Sequence, residues 1–343
     1  MTQVPDFAVV PGAQVHEALT GHEDTVIAAV EAAYRLHGEG ETVNPDSYFL
    51  RFPDRPSSRI IALPASVRGE VGVHGIKWIS SFPENVAAGI PRASAVLVLN
   101  DAETGYPFAC LESSIISAAR TAASAALAAD RISAARGPRP ARVGFFGVGL
   151  IARYIHTYLK AAGFSFEEIG VHDLSAEHAD GFSDYLRRTE NDGVRITVHD
   201  KAEDLIRSSD LIVFATVAGE PHVTDPGWFT HNPLVLHVSL RDLSPEIVLS
   251  AWNAVDDIDH CLKANTSLHL AEQRTGNRDF VAGTLYDMLT GTIAPPTDRP
   301  AIFSPFGLGV LDLAVAKHVY DRVHEAGGLH TVPGFFHELK RYG

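Results

Sequence analysis

The chain has 343 residues, of which 45% are hydrophobic and 20% charged, and a formal net charge of −14. That length exceeds one ordinary domain and fits two, each able to bury its own core. The acidic balance excludes non-specific attraction to nucleic acid or to an anionic membrane, so neither is expected as a partner.

The amino terminus, "MTQVPDFAVVPG", has neither the charged nor the apolar region of a secretion signal, and no apolar run reaches the roughly 18 residues of a membrane span. Two cysteines far apart in sequence, Cys110 and Cys261, exclude a disulfide framework and fit a reducing cytoplasm, the expected location. An acidic protein with an anionic substrate needs a local basic pocket, so arginines that cluster against the trend are the ones to follow.

In chain order, residues 24–36 have helical periodicity. Strand-like runs follow at 47–52, 59–65, 72–81, 93–101 and 106–112, the last two flanking "AETG", a hairpin turn. This part reads as an antiparallel sheet with helices. Next comes "SSIISAARTAASAALAAD" (113–130), a helix built mostly of alanine with Arg120 inside it. Its helical neighbours Ile116, Ala123, Ser124 and Leu127 make a small, apolar face, so Arg120 is expected to be at least partly buried. A Pro/Gly/Arg connector, "RGPRPA" (136–141), reads as a domain junction.

From Arg142 strands and helices alternate through "RVGFFG", "EIGVHD", "VRITVHD", "DLIVFAT" and "PLVLHVSL". This is the pattern of a Rossmann-type, doubly wound parallel sheet; with the first part it gives an α/β protein carrying a second, α+β domain. The final "PAIFSPFGLGVLDLAVAKHVYDRV" reads as strand, glycine-rich loop and a helix that returns to the first domain.

"RVGFFGVGLIARYI" holds Gly147-x-Gly149-x-x-Ala152 between strand and helix. The first glycine permits the turn, the second admits a pyrophosphate, and the alanine lets helix and strand pack closely. Gly147, Val148, Gly149, Leu150 and Ile151 would bind the phosphates at the helix N-terminus. Asp173 ends the next strand and suits a ribose 2′-hydroxyl; Leu174 and Ser175 beyond it are not basic, which favours NAD over NADP. Thr216 ends a further strand at the carboxyl edge, where such sheets bind ligands. In the "SPFGLG" loop, Ser304, Gly307, Leu308 and Gly309 would let backbone approach a nicotinamide. No metal-site spacing appears, and neither a GxSxG nor a P-loop is present.

Lys77 within "FPEN"-preceding "GIKWISS", the "RTAA" helix and the late "FGLGVLDLAVA" segment together resemble the ornithine cyclodeaminase/mu-crystallin family, over residues 45–325. Within it, "SLRDLSPEI" and "IISAARTAASAALAA" are most similar to NAD-dependent dehydrogenases of siderophore and antibiotic pathways. Those oxidise N-(1-amino-1-carboxy-2-ethyl)-glutamate to an imine that hydrolyses to L-2,3-diaminopropionate and 2-oxoglutarate.

The resemblance implies a substrate and dimerisation domain from residues 1–130 and 313–343, an NAD-binding domain over 131–312, and a homodimer. It implies that Arg51, Lys77 and Arg120 grip a substrate carboxylate, that Thr121 faces the cofactor, and that Asp242 is the catalytic aspartate; Lys77 is also a candidate catalytic proton donor, since a desolvated ammonium shifts its pKa readily. Arg241, beside Asp242 where cyclodeaminases have a small residue, argues against ornithine and suits a more anionic substrate. Arg92 is a third expected anion contact. The residues also admit a helix-capping Asp242, an edge-strand Lys77 and a purely structural Arg120. An ornithine cyclodeaminase, an amino-acid dehydrogenase or ketimine reductase, and a binding protein without turnover are the competing functions.

Overall fold

A computed structural model describes residues 5–337; the first four residues and the last six of the expected substrate domain lie outside the described residues. The chain forms two compact units. One runs to Arg120 and resumes at Leu308; the other is Thr121–Gly307. These limits precede the expected cuts at 130/131 and 312/313. The connector at 136–141 is a loop inside the second unit, and Leu308 to Asp312 pack with the first.

The first unit begins with β1 (Phe7–Val10), α1 (Gly12–Leu19), α2 (Glu23–Gly38), β2 (Thr42–Val43) and β3 (Tyr48–Phe52). It continues with β4 (Arg55–Val67), β5 (Val73–Ser81), β6 (Ala93–Asp101) and β7 (Pro107–Glu112), and then α3 (Ser114–Arg136), whose first turns to Arg120 belong to it. Helix α2 follows the predicted periodicity and buries Val26, Val30, Ala33 and Tyr34. The sequence alternation also gave β3 to β7, in an antiparallel run through β4, β5, β6 and β7. Strand β1, which the sequence reading passed over, adds in parallel to β7. Helix α3 is buried at Ala118 and Ala119 and again from Ala122 to Ala129, a stretch of small and apolar side chains with Arg120 and Thr121 half-buried between.

The second unit holds β8 (Arg142–Phe146), α4 (Leu150–Ala161), β9 (Glu168–His172), α5 (Ala176–Thr189), β10 (Arg195–Val198), α6 (Ala202–Ser208) and β11 (Leu211–Phe214). After these come β12 (Leu234–His237), α7 (Pro245–Ser250), β13 (Trp252–Val255), α8 (Ile258–Cys261), α9 (Ser267–Thr275), β14 (Val281–Thr284), α10 (Leu285–Leu289) and β15 (Ala301–Ser304). The sheet order is β10-β9-β8-β11-β12-β15-β13-β14, parallel at every pairing. Strands β11, β12 and β15 are buried at every residue, as parallel strands covered on both faces must be. The chain winds outward from β8 in one direction and from β11 in the other, so the switch point, where doubly wound sheets bind ligands, lies between β8 and β11.

Helix α11 (Gly309–Glu325) and β16 (His330–Val332) complete the first unit. As the sequence predicted, α11 returns to that unit and packs on β4, β5 and α2. Its approach is close: a Cβ on Gly75 would collide with Val98 O and Leu313, and one on Gly309 would lie 3.2 Å from Ala65 Cβ.

Candidate active site

In the first unit, Lys77 stands on β5, paired on both sides by β4 and β6 and only 1% exposed, so it is no edge-strand guard. Its Nζ donates to Asp312 Oδ2 at 2.6 Å and to Ser117 Oγ at 3.2 Å. Arg120 Nε donates to Asp312 Oδ1 at 3.0 Å. Asp312 lies in the first turn of α11 and is fully buried. Burial lowers the Lys77 pKa from 10.5 to about 8; Asp312 opposes that shift and Arg120 adds to it. One buried carboxylate thus serves two cations. The cluster keeps one unit of positive charge in excess when Lys77 is protonated, and an uncompensated charge in a desolvated place is costly until an anion joins it. The Arg120 contact uses Nε and leaves the terminal fork of the guanidinium for a second carboxylate.

In the second unit the glycine-rich turn meets the requirements of a dinucleotide. Gly147 has φ +71°, and a Cβ there would sit 2.8 Å from Thr216 Cα, while the space over Gly149 is open. Helix α4 starts at Gly149 with no side-chain cap and no acid in its first turn, which leaves its N–H groups and positive dipole end for phosphate. Asp173 accepts from Val148 N at 3.0 Å and from Ser175 N at 2.9 Å, so the ribose-binding candidate is locked against the turn. Leu174 beside it is fully exposed.

Asp242 is fully buried, close to the carboxyl ends of β11 and β12. Its Oδ1 accepts from Thr216 Oγ1 and lies 3.0 Å from His222 Nε2. Its Oδ2 accepts from Ser239 Oγ and lies 3.3 Å from His237 Nε2. Burial alone would raise the carboxyl's pKa; the bonds from His222, His237 and Ser239 outweigh it and hold the group far below the usual carboxylate range. His237 Nε2 is also 3.2 Å from Asp242 N, and His237 Nδ1 faces Ser304 Oγ at 3.3 Å. His222 also anchors the segment, its own N–H donating to Asp242 O at 3.0 Å, yet its side chain is 43% exposed. The unit therefore presents one accessible imidazole held by a buried, ionised aspartate.

A profile of the ornithine cyclodeaminase/mu-crystallin family matches residues 9–327. The chain belongs to this family. Like this member, the N-((2S)-2-amino-2-carboxyethyl)-L-glutamate dehydrogenase of Staphylococcus aureus spans the match almost fully: 26% identity over 320 residues, 91% of this chain and 94% of that one. The alanine dehydrogenase of Archaeoglobus fulgidus is 28% identical over 307 residues, 87% of this chain and 90% of its own. Among solved structures, an archaeal alanine dehydrogenase dimer with bound NAD superposes with a TM-score of 0.84 at 25% identity, covering 96% of this chain and all of that one.

For this family member, the structure draws Lys77 and Arg120 together and assembles Gly147, Val148, Gly149 and Asp173 with Thr216 nearby. Leu150 and Ile151 open helix α4. It does not cap a helix with Asp242; Ser244 is the N-cap of α7. Thr121, next to Arg120 on α3, is counted with the second unit.

Three of the expected site elements have further partners. Arg241 gives Nε and Nη2 to Ala264 O, at 3.3 and 2.9 Å, and so also braces a loop. Ser304 is buried, and its hydroxyl faces His237 Nδ1. The glycine loop is split in role. Gly307 (φ +92°) donates its N–H to buried Asp256, Leu308 is fully buried, and Gly309 exists for the packing of α11 on β4. Arg51 and Arg92 stand elsewhere on the first unit's sheet, as described below. Sequence reading passed over Asp312, His222, His237, Ser239 and Asp256. Asp312 alone left a signal, an acid inside the apolar run "GVLDLAVA".

Proposed function

We propose that this chain is an NAD-dependent dehydrogenase that oxidises the secondary amine N-(1-amino-1-carboxy-2-ethyl)-glutamate. The imine product hydrolyses to L-2,3-diaminopropionate and 2-oxoglutarate, for siderophore or antibiotic biosynthesis. The coarser assignment, an NAD-dependent oxidoreductase of an amino-acid-derived substrate, rests on the family, the named activities of the relatives and the glycine-rich turn. The finer one is supported by the likeness to the Staphylococcus aureus dehydrogenase named for that adduct; the excess positive charge of Lys77 and Arg120 around the single carboxylate of Asp312 supports a substrate carboxylate in either case.

In the reaction the glutamate α-carbon loses a hydride and the nitrogen a proton, forming C=N. Water then adds to that carbon and the C–N bond breaks, giving the keto acid and the primary amine. NAD, when bound, supplies the hydride acceptor. Gly147 to Ile151 would hold its pyrophosphate and Asp173 its ribose. Lys77 and the Arg120 fork bind carboxylate and fix the amine's position. Asp242, too weakly basic to keep a proton itself, would orient His222 through its Oδ1 and stabilise the positive charge that forms when this exposed imidazole accepts the amine proton.

The homodimer belongs to the same proposal. Tyr48, Trp78 and Val96 stand in one register row across β3, β5 and β6 and are exposed by 75%, 41% and 46%. Such an apolar row on a sheet face is a surface for a second copy. Light scattering on the purified chain tests it; a monomer at micromolar concentration would sink it.

The decisive assay supplies NAD and the glutamate adduct and follows reduced-nicotinamide absorbance together with 2-oxoglutarate. Both should appear in equal amounts. Proline and ammonia from ornithine without net NADH would establish the cyclodeaminase instead, and NADH from L-alanine but not from the adduct would establish the simple amino-acid dehydrogenase.

A further inference from the structure

Three arginines meet at one end of the first unit's antiparallel sheet. Arg51 and Arg59 are direct cross-strand partners on β3 and β4, and Arg59 is opposite Ser81 on β5. Arg92 Nη1 donates to that Ser81 Oγ at 2.8 Å. Burial lowers the pKa of Arg59 and of Arg92, and each is lowered further by a neighbouring guanidinium, Arg51 for the former and Arg59 for the latter. Among the described residues no carboxylate forms an ion pair with any of the three. Three like charges, two of them half-buried, repel one another and lose hydration with nothing to offset it. Like charges directly opposite on neighbouring strands destabilise a sheet by themselves.

The position of this row gives it meaning. Residues 77, 79 and 81 of β5 share a face, because side chains alternate along a strand, so Ser81 and the arginines beside it stand on the face that carries Lys77. Four residues of strand separate them, about 13 Å. The Arg51 guanidinium, in the same row as Arg59, lies 5.1 Å from the ring of Phe49, which stands two residues along β3 toward the Lys77 row. One face thus bears a near cationic anchor, Lys77 with Arg120, and a far one, Arg59 with Arg92.

We propose that Arg59 and Arg92 form a second anion anchor that binds the distal carboxylate of an extended di- or tricarboxylate whose near carboxylate is held by Lys77 and Arg120. The assignment rests on the function proposed above and deepens it: it makes chain length and carboxylate number the basis of substrate choice. A short substrate with one carboxylate, such as alanine, fills the near anchor and leaves the far arginines repelling each other. A long polycarboxylate neutralises both. Arg51, the cross-strand partner of Arg59, adds its charge to the far anchor.

The test uses the full chain with NAD and the variants Arg59→Gln, Arg92→Gln and, as a control on the other unit, the exposed Arg207→Gln. Circular dichroism and thermal melting verify the fold of each. Suberate, with as many bonds between its carboxyl carbons as separate the adduct's terminal ones, serves as an inert dicarboxylate probe and propionate as a monocarboxylate one, both titrated calorimetrically. Arg59→Gln and Arg92→Gln should each weaken suberate at least tenfold and leave propionate unchanged, with Arg207→Gln affecting neither. With the glutamate adduct as substrate, the same variants should raise KM about tenfold and leave kcat near the native value, and Arg59→Lys should recover part of the loss. Suberate affinity that ignores Arg59→Gln and Arg92→Gln overturns the anchor. Adduct oxidised with an unchanged KM in both variants also overturns it and leaves the proposed reaction standing. Suberate weakened as expected while the adduct is never oxidised keeps the anchor and discards the proposed reaction.

Discussion

Lys77 and Asp312 are 235 residues apart in the chain and 2.6 Å apart in the fold. The pair is nearly dry, with side-chain exposures of 2% and 0%, and Arg120 shares its carboxylate. Removing the acid strands two buried cations beside each other. Asp312→Asn should therefore lower the unfolding free energy by about 3–5 kcal/mol, the range for breaking one partner of a buried pair. Denaturant titration measures it. A loss below about 1 kcal/mol would show that the cluster is wetter than its burial implies.

The same burial sets a pH dependence. Lys77 has a pKa of about 8 in the fold against 10.5 ordinarily. Its folded pKa is depressed, so between these two values the unfolded chain binds more protons than the folded one. The lysine's contribution to stability therefore rises with pH across that window and is flat below it. Binding runs the other way, because a neutral amine does not grip a carboxylate. KM for a carboxylate substrate should climb above pH 8 in the native protein. In Lys77→Met, KM should be raised throughout and should lose that inflection. A native KM flat from pH 7 to 9.5 would remove Lys77 from the substrate clamp.

Arg120→Lys keeps the charge and discards the fork. With Nε already committed to Asp312, the second carboxylate needs the terminal nitrogens, which a point charge does not reproduce. KM for the adduct should rise about tenfold or more, on the order of 1.4 kcal/mol. An unchanged KM would leave Arg120 a structural partner of Asp312 only.

Much of this was legible in the sequence because local pattern carries it. The alternation through β3 to β7, the βα repeats from β8 onward and the GxGxxA turn each follow from neighbours in the chain. Arg120 was readable as buried for the same reason: Ile116, Ala123 and Leu127 lie within two turns, and all are buried in the fold. Charge pairing is different. Asp312 matters because α11 comes back across the sheet, and His222 matters because a loop folds its ring onto Asp242 from 20 residues away. No spacing rule encodes either contact. The second partner of Arg241 was hidden for the same reason, because the Ala264 carbonyl that takes two of its donors is 23 residues away. Strand β1 is four residues long and has too little alternation to stand out.

Asp242→Asn retains the shape of the side chain and removes the charge that Thr216, Ser239 and the two histidines converge on. Turnover should fall about 10²–10⁴-fold, the usual weight of a proton-transfer group. NAD affinity should stay near native, since the residues of the Gly147 turn and Asp173 are untouched. Stopped-flow hydride transfer and a cofactor fluorescence titration separate the two effects. Turnover close to native would show that Asp242 only supports the fold.

The return of α11 also has a consequence in time. The second unit is contiguous in sequence and complete once Gly307 has been made, whereas the first waits for residues after Leu308. Arg120 precedes its carboxylate by 192 positions. At 5–20 residues per second, that is roughly 10–40 s of translation during which two cations of the nascent chain have no anion to fold against. Helix α11, made after the whole second unit, is then the one that licenses the first unit to close, so a chain cut short before residue 312 would carry a complete second unit and an incomplete first one.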